Sequence, residues 1–341
     1  MSRAPDLLRP TRRQFVQGAG VSGLGLLAGC GRLPGQAEQP AKVPRIGVLA
    51  FVTADPSAAD NAAFRQGLRD LGYSEGQNIT LEWRSPGDRS DQYPELAADL
   101  VGRSVDVIVA QGFAATQAAK QASTTIPIVM AFSTDPVRVG QVASLARPGG
   151  NLTGLATLTG QLVGKRLELL RDTVPGLARV AMLGNPAVVE RAFEFEETAA
   201  AAQALGLGLQ SVELRSGGAL ESAFQSILQG RAEALVVQGN VVTNNHRPEI
   251  GDFATAHRLP TITTRRAFVE DGSLLSYGPD FLEMNRRAAH YVDRILRGTK
   301  PADLPVEQPM RFEFVVNLKT AQALGITFPN EILLQVTEVI Q

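Results

Sequence analysis

The chain has 341 residues, 44% of them hydrophobic. This is more than one ordinary core accommodates, because single cores stop growing beyond about 250–300 residues. Its 33 Lys and Arg residues nearly balance 34 Asp and Glu residues, so charge gives no general attraction for nucleic acid. The single cysteine excludes an internal disulfide or a site built from several thiolates.

Residues 1–30 have the pattern of an export signal. Arg12 and Arg13 precede an uncharged, glycine-rich run over residues 16–29, and Cys30 follows a small-residue cleavage pattern (LAGC). The run is shorter than the about 20 residues of a membrane-spanning helix, and its glycines weaken the alternative of a packed core helix. We therefore expect a twin-arginine lipoprotein signal, lipid attachment at Cys30, and a protein tethered to a membrane surface outside the cytoplasm.

Residues 31–44 lack hydrophobic periodicity and contain three prolines, which predicts a flexible tether. From residue 45 onward, short β-branched runs alternate with segments of helical period, as is typical of parallel α/β structure. The first series of predicted strands covers residues 45–52, 79–83, 105–110, 126–132 and 152–158. Their apolar runs do not alternate with polar residues, which favours strands covered on both faces.

The same alternation restarts after a predicted helix over residues 161–174. The second series of strands covers residues 179–183, 208–214, 234–238, 261–264 and 274–277. Two successive series predict an α/β fold with two doubly wound parallel-sheet lobes, facing each other across a cleft.

The C-terminal part complicates a simple division into two halves. A long amphipathic helix over residues 281–295 is followed by a proline-bearing stretch, a strand over residues 311–317 and a short helix over residues 318–324. Several crossings would join the lobes through a multi-strand hinge. We predict one lobe from residues 45–157 with about 279–308, and the other from 158–278 with about 309–341.

Several short motifs follow one another in a defined order along the chain. They are residues 64–68 (FRQGL), 71–73 (LGY), 126–129 (IPIV), 135–137 (DPV), 147–154 (RPGGNLTG), 276–278 (SYG), 286–289 (RRAA), 304–309 (LPVEQP) and 317–321 (NLKTA). In their order and spacing the chain resembles the substrate-binding proteins of ATP-binding-cassette importers, which have the type I periplasmic-binding fold. More narrowly, it is similar to the branch that includes binders of tryptophan and tyrosine. The resemblance implies two partners, a small-molecule solute such as an amino acid and a permease of the inner membrane.

Ligands of open α/β sheets bind beyond the carboxyl ends of parallel strands. This rule selects loops at residues 51–53, 111–116, 133–135, 184–186 and 238–240, and the end of the strand at Tyr277. The predicted ligand-binding residues are Phe51, Thr53, Gln111, Gly112, Phe113, Ser133, Thr134, Asp135, Asn185, Gln238, Asn240 and Tyr277. The alternative is that the amides serve turns and caps and that the aromatic rings belong to the core or a sheet edge.

Asp135 precedes Pro136, which predicts a helix N-cap followed by proline at the first helical position. If the ligand is an amino acid, as the resemblance allows, Asp135 is the leading partner for its ammonium. Ser133, Thr134 and loop amides would then bind the carboxylate.

Catalytic patterns are missing from the sequence. The three histidines, His246, His257 and His290, lie in predicted helices without metal-ligand spacing. No Gly-x-Ser-x-Gly elbow occurs before a helix, and no Gly-x-Gly-x-x-Gly follows the first strand. We expect no enzymatic activity, no cofactor and no metal. The remaining alternative is a periplasmic ligand sensor for a membrane signalling protein, since the fold does not determine the downstream partner.

Overall fold

A computed structural model describes residues 42–157, 160–185 and 189–341 of the chain, with only the backbone of residues 189–191. The predicted signal, Cys30 and nearly all of the predicted tether lie outside these residues. Residues Val43–Gln341 form one folded unit that contains two β-sheets.

The first half of the chain alternates strands and helices as its sequence predicts. In chain order these are β1 (Arg45–Leu49), α1 (Ala59–Asp70), β2 (Thr80–Arg84), α2 (Tyr93–Gly102), β3 (Val107–Gln111), α3 (Phe113–Ala122), β4 (Ile128–Thr134) and β5 (Leu152–Thr157). The strands pair in parallel in the order β2-β1-β3-β4-β5. Strand β3 is buried at every position, as expected of an apolar strand covered on both faces.

The second half builds a larger sheet. Its elements are α4 (Val163–Thr173), β6 (Arg179–Gly184), α5 (Val189–Ala204), β7 (Gly208–Glu213), α6 (Leu220–Gln229), β8 (Ala234–Val237), α7 (Val241–Asn245), α8 (Arg247–Ala256), β9 (Thr261–Thr263), α9 (Arg266–Glu270), β10 (Leu275–Pro279), α10 (Phe281–Leu296), β11 (Phe312–Asn317), α11 (Leu318–Leu324), α12 (Asn330–Leu333) and β12 (Glu338–Ile340). The strand order is β12-β11-β10-β9-β8-β6-β7. All pairs are parallel except β10 with β11, which are antiparallel.

Helix α10 leaves the second sheet and packs against the first. It contacts α1 most extensively and also lies on β3, β4 and β5. The chain then runs beside β5, where Glu307 N donates to Gly154 O at 3.0 Å and Glu307 O accepts from Ala156 N at 2.8 Å. It finally returns to the second sheet as β11. We call the first sheet with α1–α3 and α10 lobe 1, and the second sheet with the remaining helices lobe 2.

Two α/β lobes built on largely parallel sheets confirm the predicted fold class. The strands, including β11, begin or end within a few residues of the predicted positions, whereas the antiparallel direction of β11 and the terminal strand β12 were not predicted. The residue boundaries assigned to the lobes stay a prediction.

The prediction of a helix that begins after Asp135 was wrong, because residues 136–140 form a turn. The Asp135 carboxylate still accepts a hydrogen bond from Arg138 N at 3.2 Å, as an N-cap would. However, Asp135 has a φ of 35°, whereas an N-cap residue has extended backbone. The backbone at Asp135 therefore directs the chain into a turn.

Candidate functional site

The two lobes meet along a cleft at the carboxyl ends of β1, β3 and β4 in lobe 1 and β6 and β8 in lobe 2. The described residues enclose three cavities in this cleft, with volumes of about 410, 60 and 30 Å³. The two small ones adjoin Phe51, Gly112 and Phe113. The largest, which we call the large cavity, has the size of a small-molecule site.

Residues of both lobes line the large cavity. Lobe 1 contributes Thr134, Asp135, Pro136, Val137, Arg138, Val139, Ser144, Leu145, Ala156, Thr157 and Gln308, and α5 of lobe 2 contributes Phe193, Glu194 and Glu197. Its wall is mainly apolar, with hydroxyl groups from Thr134 and Thr157 and a cluster of charged groups. This combination suits a ligand with a polar head and an apolar body.

The charged cluster spans the two lobes. Arg138 Nη1 of lobe 1 donates to Glu197 Oε1 of lobe 2 at 2.6 Å, and the Arg138 guanidinium lies 4.0 Å above the Phe193 ring. The other carboxylate oxygen, Glu197 Oε2, is buried and accepts no hydrogen bond from the described residues. A buried carboxylate oxygen without a donor has a strong preference for a ligand N–H or ammonium.

An aromatic group forms the lobe 1 wall beside the smallest cavity. The rings of Phe51 and Phe132 meet edge to face at 5.4 Å, and those of Phe132 and Phe281 at 5.2 Å. We call these three rings the aromatic box. Gly112, with a φ of 96°, passes so close that a Cβ there would lie 3.0 Å from the Phe51 ring, so glycine is required at this approach.

Some predicted lobe 1 residues hold the loops of the cleft together. Gln111 is buried; its Oε1 accepts from Phe51 N at 2.9 Å and its Nε2 donates to Asn61 and Asn285. The Ser133 hydroxyl donates to Gln141 Oε1 at 2.8 Å. These side chains use their hydrogen bonds within lobe 1, while Thr134 and Asp135 line the large cavity.

Gln238, one of the predicted lobe 2 residues, belongs to a buried polar network, which Asn185 joins through its backbone N–H. Gln238 Nε2 donates to Glu194 Oε2 at 3.1 Å, and Glu194 Oε1 accepts from Arg166 Nη2 at 3.1 Å. Gln238 Oε1 also accepts from Asn185 N at 3.2 Å. Asn240 caps α7 by accepting from Thr243 N. Asn185 and Asn240 line the cavity of 60 Å³.

Thr53, Gln238 and Tyr277 are not among the described residues that line the three cavities. Thr53 Oγ1 accepts from Asp55 N in its own loop. Tyr277 pairs across the sheet with Phe314 and packs on Phe312, at ring distances of 6.1 and 6.3 Å. The structure thus places Tyr277 in the packing of the lobe 2 sheet.

Sequence reasoning missed several residues of the cleft. Arg138, Phe193 and Glu197 lie in a turn and on a helix, where no sequence pattern distinguishes them. Arg265 lies two residues after the end of β9, so the strand-end rule applied to that strand would have selected it.

At the mouth of the cleft, Asp88 of lobe 1 contacts two residues of lobe 2. Asp88 Oδ1 accepts from Asn245 Nδ2 at 2.6 Å, and Asp88 Oδ2 lies 3.1 Å from His246 Nε2. His246 Nδ1 lies 3.1 Å from Glu249 Oε1. Partial burial acts to lower the pKa of His246, but the hydrogen bonds to Glu249 and Asp88 outweigh it and raise that pKa.

The described residues contain no group of three or more His, Cys, Asp and Glu side chains placed to hold a metal ion. Within the same part of the chain, no helix has both the length and the apolar character needed to cross a bilayer.

Comparison with known proteins identifies relatives of this chain. The chain is 25% identical over 315 residues to the tyrosine-binding protein of Clostridioides difficile, covering 90% of each chain. A conserved domain protein of Vibrio cholerae has a similar structure, with a TM-score of 0.81 and 26% identity over 87% of this chain and 100% of that one. A domain from Streptococcus pneumoniae in complex with L-Trp gives 0.78 and 26% over 87% and 99%. The model of the ABC transporter substrate binding protein family matches residues 45–340, and the chain belongs to this family.

Proposed function

We propose that this protein captures an amino acid with an aromatic or large apolar side chain in the large cavity and delivers it to a membrane permease. The observation that carries the proposal is the Glu197 carboxylate, whose Oε2 is buried beside the large cavity without a described hydrogen-bond donor. An α-ammonium group supplies the hydrogen-bond donor that this oxygen lacks.

The neighbouring groups suit the rest of an amino acid. Arg138, which pairs with Glu197 through Nη1 only, has further N–H groups for the α-carboxylate. Phe193, Leu145 and Val139 supply apolar surface for the side chain. The names of the relatives support this choice, because one binds tyrosine and another was solved with L-Trp.

The test is isothermal titration calorimetry of the full chain with L-Trp, L-Tyr, L-Phe and L-Leu, and with two analogues of tryptophan. Indole-3-propionate lacks the ammonium and tryptamine lacks the carboxylate. We expect Glu197→Gln to weaken binding of the preferred amino acid by roughly 10–100-fold, the size of a lost charged hydrogen bond. Binding of indole-3-propionate should change little.

Glu196→Gln is the matched control, since Glu196 is the exposed neighbour on the same helix. It should leave the dissociation constant unchanged. If no amino acid binds, or if Glu197→Gln binds the amino acid as tightly as the native chain, the proposed site is wrong.

Delivery and location form the second part of the proposal. Members of this family act outside the cytoplasm, and we propose that Cys30 carries a lipid that keeps the protein beside its permease. Radiolabelled palmitate should be incorporated by the native chain and not by Cys30→Ser. Uptake of the labelled amino acid by cells should fall when the protein is deleted, and unchanged uptake would contradict an importer role.

A further inference from the structure

Arg265 is a lobe 2 residue whose side chain enters lobe 1. It lies between β9 and α9 with extended backbone, at a φ of −128°. Only 8% of the residue is exposed, which is rare for arginine unless its charge has partners. The partners of its guanidinium belong to lobe 1.

The aromatic box receives this guanidinium. Its central carbon lies 4.0 Å from the centroid of Phe281 and 5.3 Å from those of Phe51 and Phe132. All three distances fall within the range of cation–π attraction, which strengthens when the cation is removed from water. Arginine suits such a site because its planar group is weakly hydrated.

Asp60 adds an ion pair to the same guanidinium. It belongs to the first turn of α1 in lobe 1, and its carboxylate contacts Arg265 Nη2. Both side chains are largely buried, with 19% and 9% of their surfaces exposed. The neighbouring Arg266 differs, because it pairs with Glu270 and Glu338 within lobe 2.

We propose that Arg265 is an inter-lobe latch that holds the cleft closed when no solute is bound. All of its contacts are between protein groups, so they form on closure with or without a solute. A solute enters only the open form, so a latch lowers the apparent association rate by the fraction of protein that stays closed and empty. Arg265 would thereby set how fast a solute enters the cleft, although it lies outside the large cavity.

The empty protein can be tested by fluorescence energy transfer between labels on the two lobes. Cys30 is the single cysteine, so in the full chain carrying Cys30→Ser two introduced cysteines define the labelled positions. Asp91 in lobe 1 and Glu221 in lobe 2 are exposed, and in sequence they follow Asp88 and Gly217, which adjoin each other at the mouth of the cleft. Opening should lengthen the separation between labels at these positions.

We expect the solute-free native chain to populate mainly the short separation. Arg265→Ala should lower the ratio of closed to open molecules by roughly tenfold or more, since it removes the ion pair and the three ring contacts together. Arg265→Lys, which keeps the charge without the planar group, should give an intermediate ratio. Asp60→Asn tests the same latch from lobe 1 and should also open the cleft, even if Arg265→Ala folds poorly.

Arg266→Ala is the matched control and should leave the separation unchanged. A native chain that is open without solute, a closed Arg265→Ala variant, or equal opening by Arg266→Ala would each overturn the latch. The measurement contains no solute, so failure of the proposed amino-acid function would leave its outcome intact.

Discussion

Replacing Glu194 by alanine should be strongly destabilising. The Glu194 and Arg166 side chains are 3% and 2% exposed and form an ion pair at 3.1 Å between α5 and α4. Alanine removes the carboxylate that Arg166 contacts, whereas the positive charge of Arg166 stays buried. The same substitution also removes the acceptor of Gln238 Nε2.

Breaking a buried pair from one side costs about 3–5 kcal/mol, because the remaining charge has lost favourable interactions but is still desolvated. A change of 1 kcal/mol shifts the melting temperature by roughly 2 °C in a chain of this size. The melting temperature of Glu194→Ala should therefore fall by roughly 6–10 °C. Glu196→Ala, at the exposed neighbouring position, should change the free energy of unfolding by no more than about 0.5 kcal/mol.

The double variant Arg166→Met with Glu194→Gln separates the charge effect from lost packing. It removes both charges but keeps an acceptor oxygen for Gln238. Its loss of unfolding free energy should be smaller than that of Glu194→Ala by about 2 kcal/mol. Urea unfolding and calorimetry measure both quantities. A Glu194→Ala variant within about 1 kcal/mol of the native chain, or a double variant less stable than Glu194→Ala, would refute this reasoning.

Three further predictions concern other parts of the fold. Burial raises the pKa of Glu313 to about 7, so the charged side chain destabilises the folded protein above that pH, whereas below its ordinary pKa the side chain is neutral and has no such effect. Glu313→Gln should therefore raise the melting temperature at about pH 8 but hardly at about pH 4. Equal effects at the two pH values would contradict this. The raised pKa of His246 means that its charged contact with Asp88 stabilises the protein below about pH 6.5 and is lost as the pH rises through the higher folded-state value. As the pH rises through this range, the melting temperature of His246→Gln should therefore fall less than that of the native chain. Identical dependence of the two melting temperatures on pH would contradict a stabilising contact between His246 and Asp88. A Cβ at Gly67 would overlap the backbone of α10. Gly67→Ala should therefore reduce the free energy of unfolding by about 1–3 kcal/mol, as measured by urea titration. The control is Gly102→Ala, because a Cβ at Gly102 meets nothing within 4 Å.

The sequence was sufficient for the fold class because buried parallel strands leave a strong local signal. Continuous apolar runs such as that of β3 are separated by amphipathic helices, so each βαβ unit is readable by itself. The antiparallel direction of β11 could not be predicted in the same way, since the direction of a strand depends on its partner strand and not on its own residues alone. The turn after Asp135 was misread for a similar reason, because its left-handed backbone is not encoded by the Asp-Pro pair.

The candidate site was only partly readable. The strand-end rule found Phe51, Phe113 and Thr134 because parallel strands bring their carboxyl ends to one edge of a sheet. It also selected Tyr277, which lies outside the three cavities in cross-strand packing with the antiparallel β11. Glu197 was unreachable by any local rule, because a residue on the third turn of a helix faces the cavity only through the placement of lobe 2 against lobe 1.

Three of the contacts between the described residues of the two lobes differ in what a bound solute does to them. Glu197 with Arg138 borders the large cavity, so a solute there adds interactions to that pair and stabilises closure by its own differential affinity. Arg265 and the Asp88 contacts close the cleft without a solute. The rate at which a solute associates then depends on how often the empty protein opens. A Glu197 substitution should weaken solute affinity, whereas an Arg265 substitution should raise the association rate of the solute, so the two effects are separable in one set of variants.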